Sequence, residues 1–313
     1  MTSYPNATDG ETRRVHIREV GPRDGFQSEP ERIPTPDKIR LVNALGRAGF
    51  KRIEVASFVR PDVIPQLADG AEVLRGIDVP GDVARMVLVP NSRGLDNALR
   101  EREFFEEAAL FVSASQTHNK RNINRTVEET VAGVQVMGKR ILAEGLRLCA
   151  IIATSFGCPF EGKVEMSRVL DLAERFAEAG ATEIGFGDTT GMCNPAYASR
   201  FFTAAIERLP GIEVTAHFHN TRGQGLANAY AALEAGCTSF ESSFGELGGC
   251  PVPAGSTGNI ATEDLVSMLH EMGVDTGLDL ELIIEAAREA QSTLGRQLTS
   301  HSIVAGPVSW YPA

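Results

Sequence analysis

Cysteine is scarce in this sequence. The 313 residues hold five, Cys149, Cys158, Cys193, Cys237 and Cys250, odd in number, scattered and without a C-x-x-C pair. That pattern argues against a disulfide frame or a zinc ribbon and suits thiols kept reduced in a cytoplasmic setting. No apolar run reaches the roughly 18 residues needed to cross a membrane. The polar start MTSYPNATDGETRR lacks the apolar core of a secretion signal, so residues 1–12 read as a disordered lead-in. Positive charge is also short: the formal net charge is −11. Nucleic acid and anionic membranes are therefore not expected as partners, although a small anionic ligand needs only a local basic patch. NKRNINR (119–125) is the best candidate for one, balanced by the plainer reading of a solvated loop and helix start. The glycine fingerprint of a doubly wound dinucleotide fold is missing after the first apolar run.

What is present is a repeated alternation. Strand-like runs occur at 15–20, 52–57, 85–90, 109–115, 148–156, 183–188, 214–219 and 238–244. Each is short and rich in β-branched or aromatic residues. Between them lie stretches of helical period. TPDKIRLVNALGRAG (35–49) is expected to bury Ile39, Val42, Asn43 and Gly46, and MSRVLDLAERFAEAG (166–180) to bury Val169, Leu172, Ala173 and Phe176. Both stop at glycine, as helix C-termini often do. Eight strand–helix units imply a parallel sheet closed as a (β/α)8 TIM barrel. One catalytic domain is expected over 13–300. Its end carries a short C-terminal helical extension around LELIIEAAREAQSTLG, and 301–313 form a tail.

Barrel chemistry sits at the carboxyl ends of the strands, and the unusual residues collect there. GPRDGFQSE (21–29) follows the first strand and carries Arg23 and Asp24. The second strand holds Glu54 and ends near Ser57, and the sixth ends in Asp188. The seventh ends EVTAHFH, so that Thr215, His217 and His219 share one face while Val214, Ala216 and Phe218 take the other. A lone inward histidine is usually a hydrogen-bonded core residue. Two at i and i+2, facing an aspartate across the mouth, point to a metal. Asp24, His217, His219 and the Asn259 amide would offer oxygen and imidazole ligands suited to Mg2+ or Mn2+. Two histidines and one carboxylate also describe a non-haem iron centre, which these residues alone leave open. Arg23 would stabilise an oxyanion, with a plain ion pair to Asp24 as the bland alternative. Little of the core is expected to depend on its head group. A buried Glu54 would need a partner, Arg23 or a metal-bound water. The glycines of GELGGCP suit a flap carrying Cys250 as a proton donor, the other four cysteines being packing residues.

GPRDGFQSE, EVASF, GDTTGMCNP, HFHNTRGQGLAN and GELGGCPVPAGSTGNIATEDLV together resemble the 3-hydroxy-3-methylglutaryl-CoA lyase family, metal-dependent TIM-barrel lyases related to isopropylmalate synthase. The resemblance covers about residues 13–300. It implies retro-Claisen cleavage of a branched 3-hydroxyacyl-CoA, with Asp24, His217, His219 and Asn259 as ligands of Mg2+ or Mn2+. Arg23, Asp24, Glu54, Asp188, His217 and Cys250 are the expected catalytic residues. Arg23, Gln27, Ser57 and Arg222 are expected to touch substrate. It further implies an acyl-CoA as partner, a homo-oligomer (dimer or tetramer) and a cytoplasmic setting. Asn220, Arg222 and Gly185 stand where these lyases commonly have Asp, Tyr and Ser. That leaves citramalyl-CoA or a longer branched acyl-CoA as alternative substrates. A condensing synthase and a metal-binding scaffold are the remaining readings.

Overall fold

The computed structural model describes residues 13–249 and 258–310. Eight strands form one closed parallel barrel in chain order. They are β1 (His16–Glu19), β2 (Arg52–Ser57), β3 (Ala84–Leu88), β4 (Glu107–Ser113), β5 (Arg147–Ala153), β6 (Glu183–Asp188), β7 (Glu213–Phe218) and β8 (Ser239–Ser242). The (β/α)8 barrel expected from the sequence is thus the observed fold. Helices Thr262–Glu271, Leu280–Leu294 and His301–Ala305 close the chain. Among the described residues no helix is long and apolar enough to cross a membrane.

The local differences have physical causes. β4 begins at Glu107, two residues before the apolar run, because Glu107 pairs in register with Arg147 of β5. An acidic strand start is invisible to an apolar pattern. The helix Thr35–Arg47 buries the expected Val42 and Gly46 and also Lys38, Leu41 and Leu45, while Ile39 and Asn43 are only partly covered. The stripe is rotated from the expected one because Lys38 belongs to it, its Nζ lying 2.7 Å from Asp69 Oδ1. The helix 166–178 buries the expected residues, Val169, Leu172, Ala173 and Phe176. In the basic stretch, Asn119 is fully buried and structural. Its Oδ1 accepts Ser113 N–H (3.0 Å), and its amide donates to Arg125 O and Thr130 Oγ1 (2.9 Å each). Lys120 and Arg121 stay exposed, Arg121 lying over the Phe160 ring at 4.1 Å.

The barrel interior is divided. Its amino-end floor is ionic rather than apolar. Arg18 bridges Glu183 (2.6 Å), Glu241 (2.7 Å) and Glu107 (3.5 Å). Arg52 joins Glu107 (3.0 Å), Glu213 (3.1 Å) and Glu183, and Arg147 joins Glu213 (2.5 Å) and Glu107 (3.3 Å). Thr215 Oγ1 lies 2.7 Å from Glu183 Oε1, above this floor. One side of the interior is apolar. Met86, Leu88, Ala109 and Cys149 form a cluster separate from the main core, with Phe111 and Ile151 packed on it. Phe111, Ile151 and His217 are partly exposed although they point into the barrel, whereas Leu110, Val112 and Ile152 on the outer face are buried under helices. Apart from Arg147 and Glu213 at the amino-end floor, the accessible residues of these strands face the barrel interior.

Candidate active site

The turn after β1 places the first two functional side chains. Gly21–Gly25 form one π-helical turn in which the Val20 carbonyl receives the N–H groups of Arg23 (3.1 Å), Asp24 (2.7 Å) and Gly25 (3.3 Å). Such turns recur at functional sites because they re-aim consecutive side chains. Glycine is required at 21: a Cβ there would lie 2.4 Å from the Phe244 ring and 2.7 Å from Glu19 Oε1. Glu19 braces the turn from behind, accepting Gly21 N–H (2.7 Å), Phe244 N–H (3.1 Å) and Thr262 O–H (2.7 Å). Burial drives its pKa up to about 8 despite those hydrogen bonds.

Asp24 is fully engaged. Oδ1 faces Arg23 Nη1 (2.5 Å) and Gln27 Nε2 (2.8 Å), and Oδ2 accepts from Asn259 Nδ2 (2.9 Å). Burial would raise its pKa, but Arg23, His217, His219 and Asn259 outweigh that and hold it near 2, a persistent carboxylate. Arg23 spans two carboxylates, Asp24 and, through Nη2, Glu54 Oε2 at 2.6 Å. Glu54 is 0 % exposed, and burial lifts its pKa to about 7 even beside Arg23. Arg23 was expected to be a head group on which little depends. The structure corrects this: it is the cation that makes a buried Glu54 tolerable.

His217 and His219 converge as the strand alternation implied, their Nε2 atoms 3.1 Å apart. β7 ends at Phe218, and His219 continues it by bridging to Asn259. Ligand atoms of Asp24, His217 and His219 all lie within 4.8 Å of one another. Asn259 Oδ1 is buried and has no hydrogen-bond partner among the described residues. Buried acceptors are almost always partnered, so an orphaned amide oxygen beside two imidazoles and a carboxylate fits a cation. The donor set, two imidazoles with carboxylate and amide oxygens and no sulfur, suits a divalent cation.

The other expected residues are placed differently. Asp188 is 1 % exposed, and its oxygens accept Met192 N–H (2.8 Å) and Cys193 N–H (3.1 Å), so it shapes its own loop. Burial raises its pKa to about 7. Ser57 Oγ accepts Val59 N–H (3.3 Å) and closes the turn after β2. Arg222 is exposed, and its Nη1 donates to the carbonyls of Thr190 and Gly191 (2.8 Å each), fastening that loop. Gln27 touches Asp24, as noted. Cys250 lies outside the described residues.

Asn220 has a local explanation. Its Nδ2 donates to Glu246 Oε1 at 2.7 Å. An aspartate there would set two like charges against each other. Glu246 stands in the left-handed region (φ 59°), so this bond also holds a strained backbone. Glu246 and Glu241 were missed by sequence reasoning. Glu241 had a signal: in TSFESSF it alternates with Phe240, the same test that singled out His217. It sits beside His217 in register, with Oε2 2.9 Å from His217 Nδ1. Burial would lower the pKa of His217, but the Glu241 carboxylate raises it on balance.

Fold and site together define a TIM-barrel enzyme with a candidate metal centre and an arginine at the carboxyl-end rim. Comparison with known proteins narrows the class. The HMGL-like family matches residues 14–289. The hydroxymethylglutaryl-CoA lyase YngG of Bacillus subtilis is 43% identical over 93% of this chain and 97% of its own length. The human mitochondrial hydroxymethylglutaryl-CoA lyase is 37% identical over 92% of this chain and 88% of its own. Among solved structures, an HMG-CoA lyase from Acinetobacter baumannii in complex with coenzyme A and 3-methylmalate superposes with a TM-score of 0.91 at 40% identity, covering 96% of this chain and 97% of that one. The chain belongs to the HMGL-like family and is a carbon–carbon lyase. The carboxyl transferase domain of Rhizobium etli pyruvate carboxylase shares the fold, with a TM-score of 0.72 at 21% identity.

Proposed function

We propose that this lyase cleaves 3-hydroxy-3-methylglutaryl-CoA to acetyl-CoA and acetoacetate, using Mg2+ or Mn2+ held by Asp24, His217, His219 and Asn259. The observation that carries the reading is the convergence of those four residues beside Arg23, in a chain whose relatives are named for this reaction. The chemistry such a cation supplies is Lewis acidity, which lowers the pKa of the substrate's tertiary hydroxyl. The hydroxyl proton passes to Asp24, which would hold the cation through one carboxylate oxygen and take the proton at the other. The C2–C3 bond breaks, C3 becomes the ketone of acetoacetate, and the electron pair moves into the thioester enolate. Arg23 faces that enolate oxygen. Its Nε–H is buried and makes no hydrogen bond among the described residues, so the guanidinium keeps an unused donor. A proton added at C2 completes acetyl-CoA, and Cys250 is proposed as its donor on the strength of the sequence.

Removing metal tests the centre. Dialysis against EDTA should abolish turnover, and Mn2+ or Mg2+ should restore it. Full activity in metal-free protein would show that these four residues serve another purpose.

The acyl end is less constrained. Across the mouth, β6 presents Gly185 and Gly187 beside Thr215 and His217. A Cβ on Gly185 would meet nothing closer than 3.8 Å. With Phe111 and Ile151 partly exposed, this side favours a second reading in which a larger apolar branch is accepted. A panel of 3-hydroxyacyl-CoAs, scored by acetyl-CoA release, should show 3-hydroxy-3-methylglutaryl-CoA cleaved efficiently. A specificity constant at least about a hundredfold higher for citramalyl-CoA or a longer branched thioester, roughly 2.7 kcal/mol in transition-state binding, would move the assignment to that substrate and leave the chemistry standing.

A further inference from the structure

We infer that Glu241 is the positioning residue of the metal centre, holding His217 with Nε2 turned towards the cation and tying it to the ion network in the barrel floor. The inference rests on the metal site proposed above. His217, Glu241 and Arg18 are register partners on the neighbouring strands β7, β8 and β1, so their inward side chains meet at one level of the barrel. Both oxygens of Glu241 are occupied: Oε2 lies 2.9 Å from His217 Nδ1, and Oε1 accepts from Arg18 Nη1 at 2.7 Å. Glu241 and Arg18 side chains are each 2% exposed, and Arg18 is itself held by Glu183 at 2.6 Å. A carboxylate fixed at both oxygens cannot rotate, and neither can the imidazole hydrogen-bonded to it. An imidazole whose Nδ1–H is given to a carboxylate presents its Nε2 lone pair, the form that binds metal.

The charge balance of the interior points the same way. The ion pairs link Arg18, Arg23, Arg52 and Arg147 to six carboxylates, those of Asp24, Glu54, Glu107, Glu183, Glu213 and Glu241. They fall into two groups, Arg23 with Asp24 and Glu54 at the rim and the three other arginines with the four glutamates of the floor. Arg18 already has Glu183 and Glu107, so Glu241 is not needed to neutralise it. It extends the floor network to the ligand histidine.

The test is direct Mn2+ binding, measured as free Mn2+ by electron paramagnetic resonance with chelator-treated full-length protein. Glu241→Gln can satisfy His217 or Arg18 with its one amide oxygen, but not both. It should bind Mn2+ about 10–100-fold more weakly than wild type, the usual effect of losing a group that orients a ligand histidine. Glu213→Gln removes a charge from the same network without touching Glu241, and its affinity should stay within about threefold of wild type on that orientation argument. Equal affinity in wild type and Glu241→Gln, or equal weakening in both variants, would overturn the positioning role. A wild type that binds no Mn2+ would overturn the metal site as well, which separates the two failures. Should Glu241→Gln not fold, the imidazole nitrogen signals of Mg2+-loaded wild type decide. His217 protonated on Nδ1 supports the inference, and His217 protonated on Nε2 overturns it.

Discussion

Arg23→Met is expected to lose at least a hundredfold in kcat with little change in KM. The charge that Arg23 meets appears only as the C–C bond breaks, and interactions made chiefly in the transition state are lost from kcat. One oxyanion donor is typically worth about 2.7–4 kcal/mol, roughly 10²–10³ in rate. Lysine should rescue poorly, because a point charge cannot face Asp24 and Glu54 as the planar fork does at 2.5 and 2.6 Å. Turnover within about tenfold of wild type would reduce Arg23 to an ion-pair partner, since even one donor should cost more.

The same substitution also affects the fold, and pH separates the two effects. Glu54 has a folded-state pKa of about 7, above the ordinary carboxyl range, and burial is the first cause. A carboxyl raised in the folded state costs stability as pH climbs through that window. Below about pH 6 Glu54 is protonated with or without Arg23, so the melting deficit left there is the part owed to Asp24, which loses the cation that holds its pKa near 2. Above pH 7 wild-type Glu54 ionises against Arg23, whereas in Arg23→Met its pKa moves higher still and the melting deficit widens. Arg23→Met/Glu54→Gln should recover the alkaline deficit without recovering kcat. Thermal melts at pH 5.5 and 8 check this, and a deficit independent of pH would mean that the lost Asp24 ion pair and packing, not Glu54, are responsible.

The barrel and half of its site were legible because they rest on period. Strand alternation put His217 and His219 on one face and Val214, Ala216 and Phe218 on the other, and the structure keeps that division. The pattern failed at several buried charges. Lys38, Glu107 and Arg18 sit inside because partners from distant strands or loops meet them, and nothing local in the chain announces such a partner. Asp188 and Arg222 show the converse. Both stand at the rim where catalytic groups are expected, but their polar atoms go to backbone groups of the loop after β6. Rim position is a property of sequence order, whereas the direction of a side chain is set by loop geometry that only the fold supplies.

Arg18 makes the largest stability prediction in the floor. Removing one member of a buried ion network leaves its partners uncompensated, at about 3–5 kcal/mol. Arg18→Met would strand Glu241, whose other partner among the described residues is His217, while Glu183 keeps Arg52 and Arg147. With an unfolding entropy of about 2.1 cal/mol/K per residue, a loss of that size lowers Tm by roughly 5–8 °C. The sign of the pH dependence follows from Glu183. Burial opposes its ionisation, but Arg18 and Arg52 outweigh that and hold its pKa well below the ordinary value. A depressed carboxyl contributes stability above its unfolded pKa, about 4.3, and loses it as pH falls towards the folded value. The gap between Arg18→Met and wild type should therefore be full at pH 7 and shrink below about pH 4.5. Calorimetry across that range measures it. A drop under about 1 kcal/mol at pH 7 would mean that Arg52 and Arg147 already neutralise the floor, and that Arg18 serves mainly to steady Glu241 beneath the metal ligand.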